Sequence, residues 1–253
     1  MAGTVMHLVI ADRLLEQFHI QNPGYFYCGN LAPDAVMNRK NYEREMKRHT
    51  HFKDGIRLHE LRIPENFEAY VKRLNAFYDR LVAKPSDHWE IYFGYLTHML
   101  VDELYLLHFR DGFVDQLVAQ GKEPTDEAFF RAFTKDVYLI DLELVRTYAF
   151  HHPMPETLRI QEPYEIPELV SSQELLDSKE FIIYMNFDKA GTSKVTSDMT
   201  DAQKELNQFY FPDVSSDLVG SLQVMTLQQN LDFIELCVRE IPKILAERYG
   251  MQF

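Results

Sequence analysis

The sequence has few cysteines, prolines and glycines, and it has no long apolar run. Its two cysteines, Cys28 and Cys237, lie far apart and without CxxC spacing, which argues against a disulfide scaffold and against a thiolate zinc site. No run of about 18 apolar residues occurs, so neither a transmembrane helix nor integral membrane contact is expected. With 11 prolines and 10 glycines in 253 residues, the chain is also unlike a low-complexity or disordered one.

Positive charge is scarce as well. The chain has 26 Lys and Arg against 39 Asp and Glu, a formal net charge of −13 at pH 7. Double-stranded nucleic acid and anionic membrane surfaces both demand clustered Lys and Arg, so neither is expected as a partner. The first residues, MAGTVMHLVIADRLLEQF, lack the basic region and cleavage site of a signal peptide. We therefore expect a cytoplasmic protein.

Helical periodicity dominates what is present. Apolar residues recur at three- and four-residue steps from Thr4, which is a candidate N-cap. The same spacing predicts further helices that start at a proline or at an Asp or Ser cap. These lie at residues 64–81, at 87–110 with Ser86 or Asp87 as cap, and at 126–150.

The residue pattern changes in the later part of the chain. Residues 151–201 contain closely spaced prolines and predict an irregular connection or insertion, in which 181–187 is either a strand or a buried helical turn. A long C-terminal helix is expected at about 216–249, with Pro242 inside it. The pattern favours a single all-α domain over residues 1–253.

The apolar stretch FGYLTHMLVDELYLLHF, residues 93–109, contains three polar residues that are candidate metal ligands. His98 and Asp102 are four residues apart, so on a helix they share one face and can reach one point. They are either zinc ligands or a buried hydrogen-bonded pair. His108 follows about 240° further round the helix and belongs to another site or to none.

Other candidate ligands occur in apolar surroundings within the first part of the chain. His7 lies on the core side of the first helix, Asp34 follows Pro33 in an irregular GNLAPDAV segment, and His51 lies in RHTHF. Each has an alternative interpretation: a core histidine, a turn or cap residue, and a surface residue respectively. These alternatives leave unexplained why so many nitrogen and oxygen ligands occur in apolar contexts.

In order, these residues resemble a known family. The chain has a histidine in its first helix, then GNLAPDAV, then His51–Phe52, and then GYLTHMLVDELYLLH with H-x3-D-x5-H spacing. This arrangement is similar to the zinc-dependent phospholipase C family, and more closely to its cytoplasmic bacterial branch. The wider superfamily includes zinc nucleases that cut single-stranded nucleic acid. The resemblance covers roughly the first 145 residues.

The resemblance implies a multi-helical fold like that of phospholipase C and the related nucleases, with the metal-site helices within residues 1–145. It also implies a ligand set. Asp34, His51, His98 and Asp102 match the ligands of one metal; Asp102 matches a carboxylate that bridges to a second metal, for which His7 matches the histidine. His108 matches the first ligand of a further metal. We expect Zn²⁺, as one or two ions, with another divalent metal as the alternative.

The sequence departs from the secreted members of that family in two respects. They use an N-terminal tryptophan as a metal ligand, whereas the only tryptophan here is Trp89. The H-x3-E pair that would complete a site with His108 is also missing. Asp136 and Asp141 stand in that region instead, and each is either a ligand or an ordinary helix acid.

The predicted function is a metal-dependent phosphoric ester hydrolase acting on a small-molecule or phospholipid phosphoester. Paired dications polarise a phosphoryl oxygen and activate water, and Asp34 serves as a ligand or as the catalytic base that orients this water. The alternative is a non-catalytic helical protein that keeps a structural or vestigial metal site and acts through a partner or homodimer surface. A metal-free helical bundle is a third interpretation.

Overall fold

The computed structural model describes residues 2–83, 88–123, 126–188 and 217–251, without the side chains of residues 81–83. In these ranges all regular elements are helical, apart from one isolated bridge between Ile166 and Val170, so the all-α prediction is confirmed. No helix of the described ranges is long and apolar enough to cross a membrane. The α-helices are α1 (Thr4–Leu15), α2 (Pro23–Ala35), α3 (Arg44–Thr50), α4 (Pro64–Ala83), α5 (Trp89–Leu104), α6 (Asp111–Ala119), α7 (Glu127–Thr147), α8 (Met154–Ile160), α9 (Ser172–Ile182) and α10 (Leu227–Tyr249).

Helix α1 lies in the centre of the molecule. Almost every residue of this helix is buried, including the polar His7 and Asp12, which is the pattern of a helix surrounded by others. It packs against α2, α5, α7 and α10. Gly3 rather than Thr4 is the N-cap residue, and glycine has no side chain that could accept a capping hydrogen bond.

The most extensive helix pair is α2 with α5, and two glycines allow it. A Cβ atom on Gly29 would lie 2.0 Å from the Ile91 carbonyl oxygen, and one on Gly94 would lie 2.1 Å from that of Phe26. No other residue type fits at such a distance, because both obstacles are backbone atoms. The two helix backbones are therefore in direct contact.

Helix α2 includes residues 29–35 of the GNLAPDAV segment, which the sequence pattern predicted to be irregular. Asn22 caps this helix by accepting a hydrogen bond from the Tyr25 N–H, and Pro23 follows at the first position. Pro33 lies inside the last turn. The glycine that suggested a loop is instead the contact with α5, so Asp34 extends from a helix end.

The predicted helix at 87–110 is part of a longer one. Helix α5 begins at Trp89 and continues through a π-helical segment, Tyr105–Arg110, into α6 with helical backbone angles at both junctions. The proposed caps Ser86 and Asp87 lie outside the described residues. A π-helical segment shifts the register of the side chains that follow it, and this affects His108.

The described part of the predicted irregular connection contains two helices, α8 and α9. Ser171 and Glu174 form a capping box at the start of α9, a signal that is present in the sequence but was outweighed by the nearby prolines. A π-helical segment, Ile183–Asp188, follows α9, so the helical alternative for 181–187 is correct. Both helices pack against α2. Residues 189–201 of the predicted connection lie outside the described residues.

The C-terminal helix is shorter than predicted. It begins at Leu227, where Thr226 and Gln229 form a capping box, and it runs through Pro242 to Tyr249. The preceding segment is held by Asp136 of α7, which accepts hydrogen bonds from three consecutive main-chain N–H groups, those of Gln223, Val224 and Met225. These N–H groups are thereby satisfied outside a helix, which explains the later start.

The contact between α2 and α5 predicts that adding a methyl group at Gly94 destabilises the protein. Gly94→Ala should lower the free energy of unfolding by about 1–3 kcal/mol or more, because the added methyl group overlaps the Phe26 carbonyl. Gly112→Ala is the matched control: it lies in α6 with no atom within 4 Å of an added Cβ, and it should stabilise by about 0.5–1 kcal/mol. Chemical denaturation of both variants measures the difference, and equal effects would contradict the predicted overlap.

Candidate metal centre

Four helices bring five of the predicted ligands to one place. His7 extends from α1, Asp34 from the end of α2, His51 from the C-cap position of α3, and His98 and Asp102 from α5. The three imidazoles and Asp102 are almost completely buried, whereas the Asp34 side chain is 23% exposed. The cluster is therefore closed on most sides and open beside Asp34.

Two overlapping groups of potential ligand atoms can be distinguished. One contains His7, His98 and Asp102, and the other contains Asp34, His51 and His98; within each group the ligand atoms lie within 4.8 Å of one another. His98 belongs to both groups. Its ring is stacked on that of His7, with 3.8 Å between centroids and 4° between planes.

Asp102 connects the two groups through its separate oxygens. Its Oδ1 lies 3.6 Å from His7 Nε2, and its Oδ2 lies 3.5 Å from His51 Nε2. His51 Nε2 in turn lies 3.2 Å from Asp34 Oδ1. Asp102 therefore presents one oxygen to each group of potential ligand atoms.

Main-chain carbonyls determine which ring nitrogen of His51 and of His98 carries the proton. His98 Nδ1 lies 2.7 Å from the Asn30 carbonyl oxygen, and His51 Nδ1 lies 2.8 Å from that of Lys47. A carbonyl oxygen only accepts hydrogen bonds, so both Nδ1 atoms carry the proton and both Nε2 atoms present a lone pair to the cluster. Histidines that bind metals are commonly fixed in this way.

Several polar atoms in the cluster are buried and have no hydrogen-bond partner among the described residues. They are His7 Nδ1 and Nε2, His51 Nε2, His98 Nε2, and both carboxylate oxygens of Asp102. Leaving such an atom unsatisfied costs about 1–3 kcal/mol. Imidazole nitrogens and carboxylate oxygens are the usual non-sulfur ligands of zinc, so these residues fit a zinc site.

Two buried lysines that the sequence interpretation omitted lie beside the carboxylates. Lys47 Nζ is 2.6 Å from Asp34 Oδ1, and Lys53 Nζ is 3.7 Å from Asp102 Oδ2. Lys47 precedes His51 by four residues, and that spacing in α3 was the sequence signal that could have revealed it. Both ammonium groups balance the charge of a candidate ligand.

Opposing effects set the ionisation of the carboxylates. Burial raises the pKa of Asp34, but Lys47 and His51 lower it more, so that it lies well below its ordinary value. Burial likewise raises the pKa of Asp102, and Lys53 and His7 outweigh it, again to well below the ordinary value. Both groups are therefore carboxylates at neutral pH, the form that binds metal.

The histidines are shifted towards their neutral form. Burial lowers the pKa of His51, although Asp34 opposes the shift. Burial also lowers the pKa of His98 to well below its ordinary value, and the adjacent His7 adds to this effect. A neutral imidazole has the lone pair that a metal needs, so the two imidazoles are in the binding form.

His108 does not join the cluster. It lies in the π-helical segment after Asp102, and its side chain is exposed. It belongs to neither group of potential ligand atoms in the described part of the chain. The structure therefore gives no support to a separate metal site at His108.

Asp136 and Asp141 both accept hydrogen bonds from the main chain. Asp136 holds the segment before α10, as described above. Asp141 accepts hydrogen bonds from the N–H groups of Val5 and Met6, at 3.0 and 3.1 Å, and so caps the N-terminus of α1. Burial raises the pKa of Asp141 to about 7, against the opposite effect of these N–H donors.

The comparison with known proteins agrees with this geometry. The family model for zinc-dependent phospholipase C matches residues 6–138, which is more than half of the chain and includes all five residues of the cluster. The chain therefore belongs to the zinc-dependent phospholipase C family. No curated protein and no solved structure matches it.

The cap on α1 predicts that Asp141 stabilises the fold. Asp141→Ala should lower stability by about 1–2 kcal/mol, because two N–H groups at the start of α1 lose their acceptor. Asp141→Asn, which keeps one carbonyl acceptor, should lose less. Thermal denaturation compares the two variants, and equal losses would show that the carboxylate does not act as a cap.

The exposed position of His108 predicts that it is dispensable for metal binding. His108→Ala should keep the metal content and the thermal stability of the wild type, because no described contact depends on its ring. Elemental analysis of the purified variant measures the first quantity. A loss of one metal equivalent would place His108 among the ligands.

Proposed function

We propose that the protein is a metal-dependent phosphoric ester hydrolase with its centre at His7, Asp34, His51, His98 and Asp102. One observation supports this most strongly. Among the described residues, His7 Nδ1 and Nε2, His51 Nε2, His98 Nε2 and both Asp102 oxygens are buried without a hydrogen-bond partner, while main-chain carbonyls orient the His51 and His98 rings. The family to which the chain belongs supports zinc as the metal and a phosphoester as the substrate.

In this proposal, Asp34, His51 and His98 hold one zinc ion, and His7 and Asp102 serve a second. Asp102 presents one oxygen to each half of the cluster. When bound, zinc polarises a phosphoryl oxygen and lowers the pKa of a coordinated water. Burial of the three imidazoles excludes bulk solvent from all sides except that of Asp34, which strengthens electrostatic interactions in the site.

Asp34 is the proposed catalytic residue. It is the only member of the cluster with an appreciable exposed fraction, and its low pKa keeps it ionised, so that it can accept a hydrogen bond from the attacking water and orient it. In the hydrolysis, the water oxygen forms a bond to phosphorus and the ester P–O bond breaks. The leaving alcohol takes up a proton, and phosphate or a phosphomonoester is released.

One observation favours a second candidate function. Lys47 and Lys53 already balance the charges of Asp34 and Asp102, and such a pairing suits a non-catalytic helical protein with a vestigial site. That protein would act through a partner or a homodimer surface. A cytoplasmic location and homodimer formation stay predictions.

Metal content separates the two candidates. For protein purified without an affinity tag from cells supplied with zinc, we expect one or two zinc ions per chain, and an increase in Tm relative to chelator-treated protein. Asp102→Asn should abolish binding of at least one ion, because both groups of the cluster depend on its oxygens. Elemental analysis measures this.

Asp136→Asn is the matched control, since Asp136 is equally buried but satisfied by main-chain N–H groups. It should keep the metal while losing stability. Wild-type zinc below roughly 0.1 per chain would contradict the proposed metal centre. With metal present, hydrolysis of generic phosphoesters that stops on addition of a chelator distinguishes the enzyme from a structural zinc protein.

A further inference from the structure

The buried Thr50 joins the two helix ends that carry Asp34 and His51. Thr50 is the last residue of α3, and its side chain is almost completely buried. Its hydroxyl group donates a hydrogen bond to the Pro33 carbonyl oxygen in the last turn of α2, at 2.7 Å. Pro33 directly precedes Asp34, and Thr50 directly precedes His51. The hydroxyl group therefore connects the main chain beside one candidate ligand to the main chain beside the other.

A third helix meets Thr50 through the main-chain carbonyl group of this residue. The Thr50 carbonyl oxygen accepts a hydrogen bond from the hydroxyl group of Tyr95, a completely buried residue of α5. Tyr95 lies three residues before His98, so the two residues are neighbours on the surface of α5. The end of α3 is thereby held to α5 about one turn from a third candidate ligand.

Thr97 shows what a buried threonine hydroxyl group does when it joins no helices. Thr97 is completely buried and directly precedes His98, just as Thr50 precedes His51. Its hydroxyl group donates a hydrogen bond to the Phe93 carbonyl oxygen, one turn earlier in the same helix, which is a common local bond of threonine in helices. The two threonines are thus alike in burial and in their place beside a ligand, but the Thr50 hydroxyl group reaches a second helix.

We propose that Thr50 is a positioning residue for the metal centre, whose hydroxyl and carbonyl groups hold three ligands from three helices at the separations that one zinc ion requires. These ligands are Asp34, His51 and His98, and their ligand atoms lie within 4.8 Å of one another. The proposal rests on the proposed function, because it assigns a role in the same centre. Groups that orient metal ligands contribute about 10- to 100-fold to metal affinity.

The test uses zinc alone as the probe, with its affinity for the zinc-loaded protein measured by competition with a chelating indicator. Thr50→Val keeps the branched shape and removes the hydroxyl group, and it should weaken the binding of one zinc ion by about 10-fold or more. Thr50→Ser keeps the hydroxyl group and should restore the wild-type affinity. Thr97→Val is the matched control, the same change at an equally buried position beside a ligand, and should leave zinc affinity unchanged.

The visible spectrum of the cobalt-loaded protein provides a second measurement that a loss of stability alone does not move, because it depends on coordination geometry. Thr50→Val should change this spectrum, Thr50→Ser should restore it, and Thr97→Val should match the wild type. If Thr50→Val does not fold, Tyr95→Phe takes its place in both measurements. That variant keeps the ring and removes the donor to the Thr50 carbonyl oxygen, so it should also weaken zinc binding by about 10-fold.

The outcomes separate this proposal from the proposed function. An unchanged zinc affinity and cobalt spectrum in folded Thr50→Val overturn the positioning role and leave the hydrolase intact. Equal losses in Thr50→Val and Thr97→Val also overturn it, because they show a general effect of removing a buried hydroxyl group. A wild-type protein that binds no zinc overturns it together with the metal centre. Zinc binding that is weakened in Thr50→Val and restored in Thr50→Ser, without hydrolysis of any phosphoester, supports the positioning role and refutes the hydrolase.

Discussion

The backbone contact between α2 and α5 is the constraint on which the centre depends. Gly29 and Gly94 let the helices meet, and this brings the carbonyl of the next residue, Asn30, within 2.7 Å of His98 Nδ1. The hydrogen bond fixes the tautomer of His98 and directs its Nε2 into the cluster. Because His98 belongs to both groups of potential ligand atoms, the geometry of the whole centre follows from one close approach of two backbones.

Three buried carboxylates elsewhere in the fold are satisfied by hydrogen bonds, and the contrast with the cluster is informative. Asp12, which is completely buried in α1, accepts hydrogen bonds from the hydroxyl groups of Tyr27 and Tyr148 and from the His151 N–H. Asp136 and Asp141 are satisfied by main-chain donors. In the cluster, by contrast, four ring nitrogens and both Asp102 oxygens have no hydrogen-bond partner among the described residues. These unpaired atoms are of the kinds that bind a cation, which agrees with the proposed metal centre.

The sequence predicted the helical fold and the five cluster residues better than it predicted the helix boundaries. Helical spacing within α5 places His98 and Asp102 on one face, so their proximity needs no tertiary information. The glycine and proline of the GNLAPDAV segment led to a wrong prediction of irregular structure, since Gly29 contacts α5 within a helix and Pro33 lies within α2. The roles of Asp136 and Asp141 depend on donors 87 or more residues away in the chain, which no local pattern can indicate. Lys53 acquires its importance only from its distance to Asp102.

The most direct measurement of the central claim is the position of zinc in crystals of the metal-loaded protein, by anomalous diffraction on either side of the zinc absorption edge. The account predicts one or two anomalous peaks among His7, Asp34, His51, His98 and Asp102, with Zn–N and Zn–O distances of about 2.0–2.2 Å. Peaks confined to other positions, or a fully loaded crystal without a peak at His98 Nε2, would contradict it.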